Sequence, residues 1–221
     1  MVKRKFNPSA VIFDMDGVLV DSMPYHFIAW FEALRPLGIR VSAFEVYERE
    51  GERWEKSLRD FISQGGLKPT PELMRKVFLR RRKIFRKYFK RTIFSGVEEC
   101  LCALKKKGLI LGIVTGTPMA QLKKILPRKI RSYFDTIVTG DSVKIGKPHP
   151  ESFLKAANNL FLKASQCLVV ENAPLGIKSA KAAGMYCLAI TTSLPKAYLL
   201  EADMVINSLK DVVAVLGRFR K

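Results

Sequence analysis

Two acidic residues stand two positions apart, directly after the first apolar run of the chain. Asp14 and Asp16 follow the run Ala-Val-Ile-Phe at positions 10–13, which is typical of a buried parallel strand. Gly17 permits the tight turn that presents both carboxylates at a strand tip. One carboxylate can attack phosphorus to form an aspartyl phosphate, and a second can protonate the leaving oxygen. This pair predicts phosphoryl-transfer chemistry, with a cation or a lysine nearby to balance the charge.

Two further segments offer groups that bind an anion. Thr115 and Gly116 follow an apolar run at 109–114, and a hydroxyl with free backbone N–H groups at a helix start can hold a phosphate. Taken alone, a threonine at this place is usually a helix N-cap. Lys147 lies in Gly-Lys-Pro-His-Pro, where two prolines fix the backbone around it. It is the candidate counter-charge for the acidic pair.

The elements that position these residues alternate between apolar runs and helical patterns. Strands are predicted at 10–13, 109–114, 136–138, 167–170, 187–190 and 204–206. Helical patterns separate them, so the fold predicted is an α/β, doubly wound parallel sheet of the Rossmann-like type. Ligands of such sheets bind beyond the carboxyl ends of the strands. The residues with candidate chemistry stand just past predicted strand ends.

The segment 22–91 interrupts this alternation. It holds no convincing strand and at least three helical patterns, at 25–37, 54–62 and 72–88. We therefore predict an α/β core domain from 1–21 and 92–221, with an all-helical cap domain at 22–91 inserted after the first strand.

The first acidic motif points to a family. The run from Phe13 to Ser22, Phe-Asp-Met-Asp-Gly-Val-Leu-Val-Asp-Ser, resembles the first motif of the haloacid dehalogenase-like (HAD) hydrolases. The resemblance extends to about Leu216 and is strongest to β-phosphoglucomutase and phosphoglycolate phosphatase. It implies that Asp14 is the nucleophile and a magnesium ligand. It also implies that Asp16 is the general acid/base and lends a backbone carbonyl to the metal.

The resemblance also assigns roles to the later motifs. It implies that the Thr115 hydroxyl and the Gly116 amide hold the transferred phosphoryl group, and that Lys147 offsets its charge. Glu171 and Asn172 resemble the fourth motif, which supplies magnesium ligands. Asn172 stands where the family commonly has aspartate. Its side-chain oxygen can still bind magnesium, but it is neutral, and Glu171 remains the only acid of the pair.

The helical segment matches the position of the family's small cap, which closes over the core and reads the rest of the substrate. His26, Arg53, Trp54 and Lys83 are the candidate substrate contacts in it. His26 could lie near Asp16, or simply cap or hydrogen-bond locally, and we favour the second interpretation. In the mutases a cap arginine holds a second phosphate. Trp54 stands at that position here, which weakens the mutase interpretation, although the adjacent Arg53 could substitute for that arginine.

Composition sets broader limits. The chain has 221 residues, 48% of them hydrophobic, and a net charge of +19. No apolar run is long enough to span a membrane and no signal-peptide pattern opens the chain, so a cytoplasmic location and no membrane contact are expected. Ten Lys or Arg and no acid lie between 75 and 91. We interpret them as the solvated face of an amphipathic helix, with no dedicated nucleic-acid site, because no recognisable DNA- or RNA-binding motif accompanies them.

Together these patterns favour a Mg²⁺-dependent phosphatase that acts on a small phosphorylated metabolite, such as a sugar phosphate or phosphoglycolate, through an aspartyl phosphate. A hexose-phosphate mutase of the β-phosphoglucomutase type is the alternative. A non-catalytic or nucleic-acid-associated protein ranks third, because all four motifs keep reactive side chains. A small phosphorylated substrate is the expected partner, and a monomer is favoured.

Overall fold

Six parallel strands form one central sheet in a computed structural model that describes residues 6–219. Their order across the sheet is β3-β2-β1-β4-β5-β6. The strands are β1 Ala10–Phe13, β2 Ile110–Val114, β3 Thr136–Val138, β4 Cys167–Glu171, β5 Tyr186–Ile190 and β6 Met204–Ile206. The predicted doubly wound α/β sheet with a helical insertion after its first strand is confirmed.

Ten α-helices accompany the sheet in the described part of the chain. They are α1 Met23–Leu34, α2 Ala43–Glu48, α3 Trp54–Gln64, α4 Pro71–Tyr88, α5 Val97–Lys106, α6 Met119–Ile125, α7 Arg128–Arg131, α8 Glu151–Asn159, α9 Pro174–Ala182 and α10 Leu209–Phe219. None of those within residues 6–219 is long and apolar enough to cross a membrane.

The strand β1 lies at the centre of the sheet and is buried on both faces. All four of its residues are fully buried, because helices cover each side of the sheet. Phe13 is in register with Ile113 of β2 on one side and with Val170 of β4 on the other. The strand order reverses at β1, since β2 and β3 extend the sheet one way and β4 to β6 the other. This reversal creates a crevice at the carboxyl ends of the strands.

The helices α1 to α4 form a separate unit between β1 and α5 with its own apolar core. Trp30, Leu58, Phe61, Ile62 and Val77 are buried within it. The short helix α2 was not predicted from sequence. Its signal is a capping box, in which Ser42 accepts from the backbone N–H of Glu45, whose side chain accepts from the backbone N–H of Ser42.

Helical spacing predicts an apolar stripe of Val77, Ile84 and Tyr88 on α4, with Phe78, Phe85 and Phe89 beside it, and this prediction is partly wrong. Val77 and Phe85 are buried as expected, whereas Tyr88 is 44% exposed. Tyr88 belongs to the last turn of α4, and there the ring of Phe89 packs in its place, edge-on to Tyr25 at 5.4 Å between ring centroids.

Candidate active site

The carboxyl ends of β1, β2 and β4 bring together the side chains predicted from sequence. Six of these residues lie in one buried cluster, each at most 4% exposed: Asp14, Asp16, Thr115, Lys147, Glu171 and Asn172. The loop of Gly116 lies beside them and lines the adjoining cavity. Gly17 makes the turn after the two aspartates with φ +82°, and a Cβ there would collide with the Asn172 amide.

Asp14 is a fully buried carboxylate with only one oxygen engaged. Its Oδ1 accepts a hydrogen bond from Lys147 Nζ at 2.6 Å, while its Oδ2 has no hydrogen-bond partner within residues 6–219. Burial raises the pKa of this carboxyl well above its usual range. The charge of Lys147 opposes that effect, and the nearby acids Glu171, Glu50 and Asp16 add to it. The free oxygen is therefore a site where a cation would be strongly stabilised.

Lys147 joins the ends of two strands through two carboxylates. Its ammonium donates to Asp14 and also to Glu171 Oε1. Burial alone would lower the pKa of Lys147, but these two carboxylates outweigh it and hold the pKa above its usual range. The other oxygen of Glu171 accepts from the backbone N–H groups of Asn172 at 2.9 Å and Ala173 at 3.2 Å. Both oxygens of Glu171 are thus engaged within the protein.

Asp16 differs from Asp14 because hydrogen-bond donors surround it. Its Oδ1 accepts from Ser22 Oγ at 2.7 Å, and its Oδ2 accepts from the hydroxyls of Thr115 at 3.2 Å and Thr117 at 3.0 Å. Burial by itself would raise the pKa of Asp16. The hydrogen bonds from His26, Ser22 and Thr117 reverse this and lower it.

His26 connects Asp16 to the cap helix α4. Arg81 Nη2 lies 3.2 Å from His26 Nδ1, and His26 Nε2 lies 3.4 Å from Asp16 Oδ1. A guanidinium can only donate, so Nδ1 accepts and the imidazole proton sits on Nε2, facing the carboxylate. Of the two roles considered for His26, the structure supports the one near Asp16. Burial lowers the pKa of Arg81 to about 10, against the opposing charges of Glu50 and Asp16.

Two free oxygens at this site fit a magnesium ion. Among the described residues, Asp14 Oδ2 and Asn172 Oδ1 are buried without any hydrogen-bond partner. The Asn172 amide nitrogen donates to Ser193 Oγ at 2.9 Å, which fixes the amide orientation. Carboxylate and amide oxygens are hard ligands of the kind that Mg²⁺ prefers. Within residues 6–219 no group of three or more His, Cys, Asp or Glu side chains is arranged to hold a metal ion, at this site or elsewhere.

A cavity of about 600 Å³ opens from this cluster between the cap and the core. His26, Arg53 and Trp54 line it, as expected for substrate contacts, whereas Lys83 is exposed and does not. The Trp54 ring stacks on Phe78 with 3.7 Å between ring centroids. Arg53 Nη2 donates to the carbonyls of Val143 at 2.5 Å and Lys144 at 2.9 Å. Arg53 thus contacts the backbone of the core and lines the cavity.

The interpretation of the basic segment as a solvated face is wrong for Arg81, which packs over the Trp30 ring and contacts His26. Arg82 and Arg86 are exposed as expected, and they also line the cavity.

Ser22 and Thr117 were not predicted as partners of Asp16. Ser22 ends the first motif and Thr117 stands two residues after Thr115, so their places beside predicted site residues were the available signal.

Comparisons with known proteins agree with this geometry. A sequence profile of haloacid dehalogenase-like hydrolases matches residues 8–184. The chain is 31% identical to β-phosphoglucomutase of Bacillus subtilis, over 94% of this chain and 92% of that protein. It is 32% identical to a phosphorylated carbohydrates phosphatase of Thermotoga maritima, over 92% and 99%. A solved β-phosphoglucomutase from Clostridium difficile has the same fold, with a TM-score of 0.84 at 23% identity over 96% and 97%.

The fold and the cluster at its strand ends define a phosphoryl-transfer hydrolase, and the chain belongs to the haloacid dehalogenase-like hydrolases. The relatives include a phosphatase of phosphorylated carbohydrates, phosphoglycolate phosphatases and a β-phosphoglucomutase. The resemblance found in the sequence is therefore confirmed.

Proposed function

We propose that this protein is a magnesium-dependent phosphatase of a small phosphorylated metabolite, acting through an aspartyl phosphate on Asp14. One observation carries the proposal. The free Oδ2 of Asp14 lies in the same buried cluster as the free Oδ1 of Asn172, next to a second aspartate held by four donors. Mg²⁺ bound to these oxygens and to the backbone carbonyl of Asp16 would neutralise the phosphoryl oxygens as charge develops on them.

In the first step Asp14 attacks phosphorus, and the bond from phosphorus to the ester oxygen breaks. Lys147 and the Gly116 N–H neutralise and orient the phosphoryl oxygens, together with the Thr115 hydroxyl. Asp16, in its protonated form, gives its proton to the departing oxygen, so the alcohol leaves neutral. The product of this step is the aspartyl phosphate.

In the second step Asp16 is a carboxylate and takes a proton from water. The water oxygen attacks phosphorus, the bond to Asp14 breaks, and inorganic phosphate leaves. The donors around Asp16 lower its pKa and so favour this basic form. His26 presents its Nε2 proton to the same carboxylate, which keeps Asp16 oriented towards the acceptor oxygen.

A phosphomutase is the second candidate, and one observation favours it. Arg81 on the cap reaches Asp16 through His26, which would tie the acid/base to a closed cap that excludes water. Against it, the position of the mutase arginine holds Trp54, stacked on Phe78. The phosphatase therefore remains the main proposal.

The test is a panel of sugar phosphates, polyol phosphates and phosphoglycolate, assayed for phosphate release with magnesium, with EDTA, and with magnesium restored. We expect release with magnesium, loss with EDTA and recovery on re-addition. Isomerised hexose phosphate without phosphate release would establish the mutase instead. No turnover of any ester in the panel would contradict both proposals.

A further inference from the structure

Two aromatic side chains stack across the boundary between the cap and the core, outside the cavity. Phe44 belongs to the cap helix α2, and Tyr198 belongs to the core loop that follows β5. Their ring centroids lie 5.5 Å apart, and the ring planes are 8° from parallel. Both side chains stay partly open to solvent, at 46% and 41% exposure. Neither lines the cavity, so contact with the substrate does not account for this pair.

The same helix packs against the core through a second aromatic side chain. Tyr47 stands three residues after Phe44, so the two share one face of α2. Tyr47 packs against the apolar cluster of the cap and also against a core cluster that includes Leu194 and Leu199. One face of α2 is therefore held against the core segment 191–200.

This attachment of the cap is separate from the one that Arg53 makes. Arg53 donates to the carbonyls of Val143 and Lys144, which follow β3, whereas Tyr198 follows β5. The strands β3 and β5 lie on opposite sides of β1 in the sheet. The cap is thus attached to both halves of the core.

The segment 191–200, which carries one ring of the pair, also reaches the reaction centre. Thr192 Oγ1 donates to the Gly17 carbonyl, in the turn that follows the two aspartates. Ser193 Oγ accepts from the Asn172 amide nitrogen at 2.9 Å. The segment therefore touches the acidic turn and fixes the orientation of the amide whose oxygen is free for a cation.

The chain between these contacts has little freedom to move. Leu194 and Leu199 are buried, at 1% and 0% exposure. The turn between them is closed by a hydrogen bond from the Tyr198 N–H to the Pro195 carbonyl at 3.0 Å. Because the segment is anchored in this way, it shifts as a unit, and a displacement at the Tyr198 ring is passed on to Ser193.

We propose that Phe44 and Tyr198 are positioning residues for the metal site. Their stack fixes the segment 191–200, so that Ser193 keeps the Asn172 oxygen turned towards the cation. An amide without this restraint can present its NH₂ group instead, which cannot bind a cation. The cap thereby tunes the metal affinity of the core, and magnesium in turn favours the contact between cap and core. This inference rests on the magnesium site of the proposed function and adds a form of regulation to it.

The test measures metal binding without substrate, so it does not depend on turnover. Phe44→Ala and Tyr198→Ala are titrated with Mn²⁺ as a probe of the magnesium site, with the unbound ion measured by electron paramagnetic resonance. We expect the dissociation constant to rise about three- to tenfold in each variant, which is the effect of losing one aromatic pair. Tyr198→Phe keeps the ring and should bind as the wild type does. Thermal unfolding followed by circular dichroism checks that each variant is folded.

Ser193→Ala tests the route from the two rings to the metal site. This change should itself weaken Mn²⁺ binding, and adding Tyr198→Ala to it should cause little further loss, because both act through the same hydrogen bond. Tyr88→Ala is the matched control. Tyr88 is a cap aromatic with 44% exposure, and among the ring contacts of residues 6–219 it meets only the Lys87 ammonium. Its removal should leave Mn²⁺ affinity unchanged.

Unchanged Mn²⁺ affinity in Phe44→Ala and Tyr198→Ala would overturn the positioning role and leave the phosphatase intact. Losses in Tyr198→Ala and Ser193→Ala that multiply in the double variant would also overturn it, since the two residues would then act independently. Absence of Mn²⁺ binding by the wild type would instead contradict the magnesium site of the proposed function, and this inference with it.

Discussion

Asp14 and Asp16 are the same residue type, two positions apart, with opposite pKa shifts. Burial with one oxygen unpaired raises the pKa of Asp14, whereas surrounding donors lower that of Asp16. This difference matches a division of labour. In the proposed reaction, the carboxylate with a free oxygen would bind the cation and attack phosphorus, and the carboxylate with many donors would exchange protons.

Replacing Asn172 with aspartate tests whether its free oxygen belongs to the metal site. Asn172→Asp should lower the magnesium concentration needed for half-maximal activity several-fold, because a charged ligand binds the cation more strongly than an amide. The measurement is a magnesium titration of phosphate release, with Asn158→Asp as the control, because it makes the same change at an exposed position of α8. An unchanged or higher magnesium requirement would show that Asn172 is not a metal ligand.

Most residues of this cluster could be predicted from the sequence, whereas most of the residues around them could not. The two aspartates and Glu171 stand in recognisable motifs next to predicted strand ends, so their convergence followed from the sheet. Lys147 lies in a motif well beyond the end of β3 at Val138. Arg81 was not predicted as part of the site. It is 65 residues from Asp16 in the chain, and only the packing of α4 on α1 brings it to His26.

At the scale of elements, the loop between α2 and α3 joins the cap to the core. Gly51 lies against the side chain of Lys147 with φ +80°, and a Cβ at this position would collide with that side chain. Arg53 extends from the same loop to the carbonyls of Val143 and Lys144. One short cap segment thus touches the loop that carries Lys147.

Removing the Arg53 contact should weaken closure of the cap. Arg53→Ala should lower kcat/KM about tenfold, since hydrogen bonds from a charged group contribute about 1.5–3 kcal/mol, while the unfolding midpoint stays near that of the wild type. Arg59→Ala, an exposed arginine of α3, is the control and should leave both values unchanged. Arg53→Lys should restore part of the activity. Full activity in Arg53→Ala would show that this contact does not contribute to turnover.

Sequence periodicity predicted where the helices and strands lie better than it predicted which side of each helix turns towards the core. All six strands and the three long cap helices were predicted, because each has an apolar pattern of its own. The short helix α2 has too few apolar residues for a pattern, and its capping box was the better signal. Which arginines of α4 face the cavity depends on where the core domain lies relative to this helix. Periodicity alone does not give that position.

At the scale of the whole molecule, the net charge is +19, and the basic side chains of α4 that contribute to it form two groups. Arg81, Arg82 and Arg86 face the cavity, whereas residues such as Lys83 and Lys87 are exposed and do not line it. A strong positive field raises the encounter rate of any anionic substrate and attracts polyanions without a dedicated site.

Reversing the charge of three exposed lysines of α4 tests whether the basic residues that do not line the cavity act only through the electrostatic field. Lys76→Glu/Lys83→Glu/Lys87→Glu should leave kcat for a small phosphate ester unchanged. Any fall in kcat/KM should shrink as salt is added, since the Debye length is about 8 Å at physiological ionic strength. In gel shifts at two salt concentrations, the wild type should bind oligonucleotides weakly and lose them at the higher salt. Tight binding at physiological salt that the triple variant loses would establish a nucleic-acid surface.

The most direct measurement of the central claim is phosphate release by the wild type and by Asp14→Asn, side by side at saturating magnesium. An amide cannot act as the nucleophile, so the account predicts a loss of at least about a thousandfold in kcat, with the circular dichroism spectrum unchanged. If Asp14→Asn keeps a tenth or more of the wild-type rate, the reaction does not pass through an aspartyl phosphate on this residue.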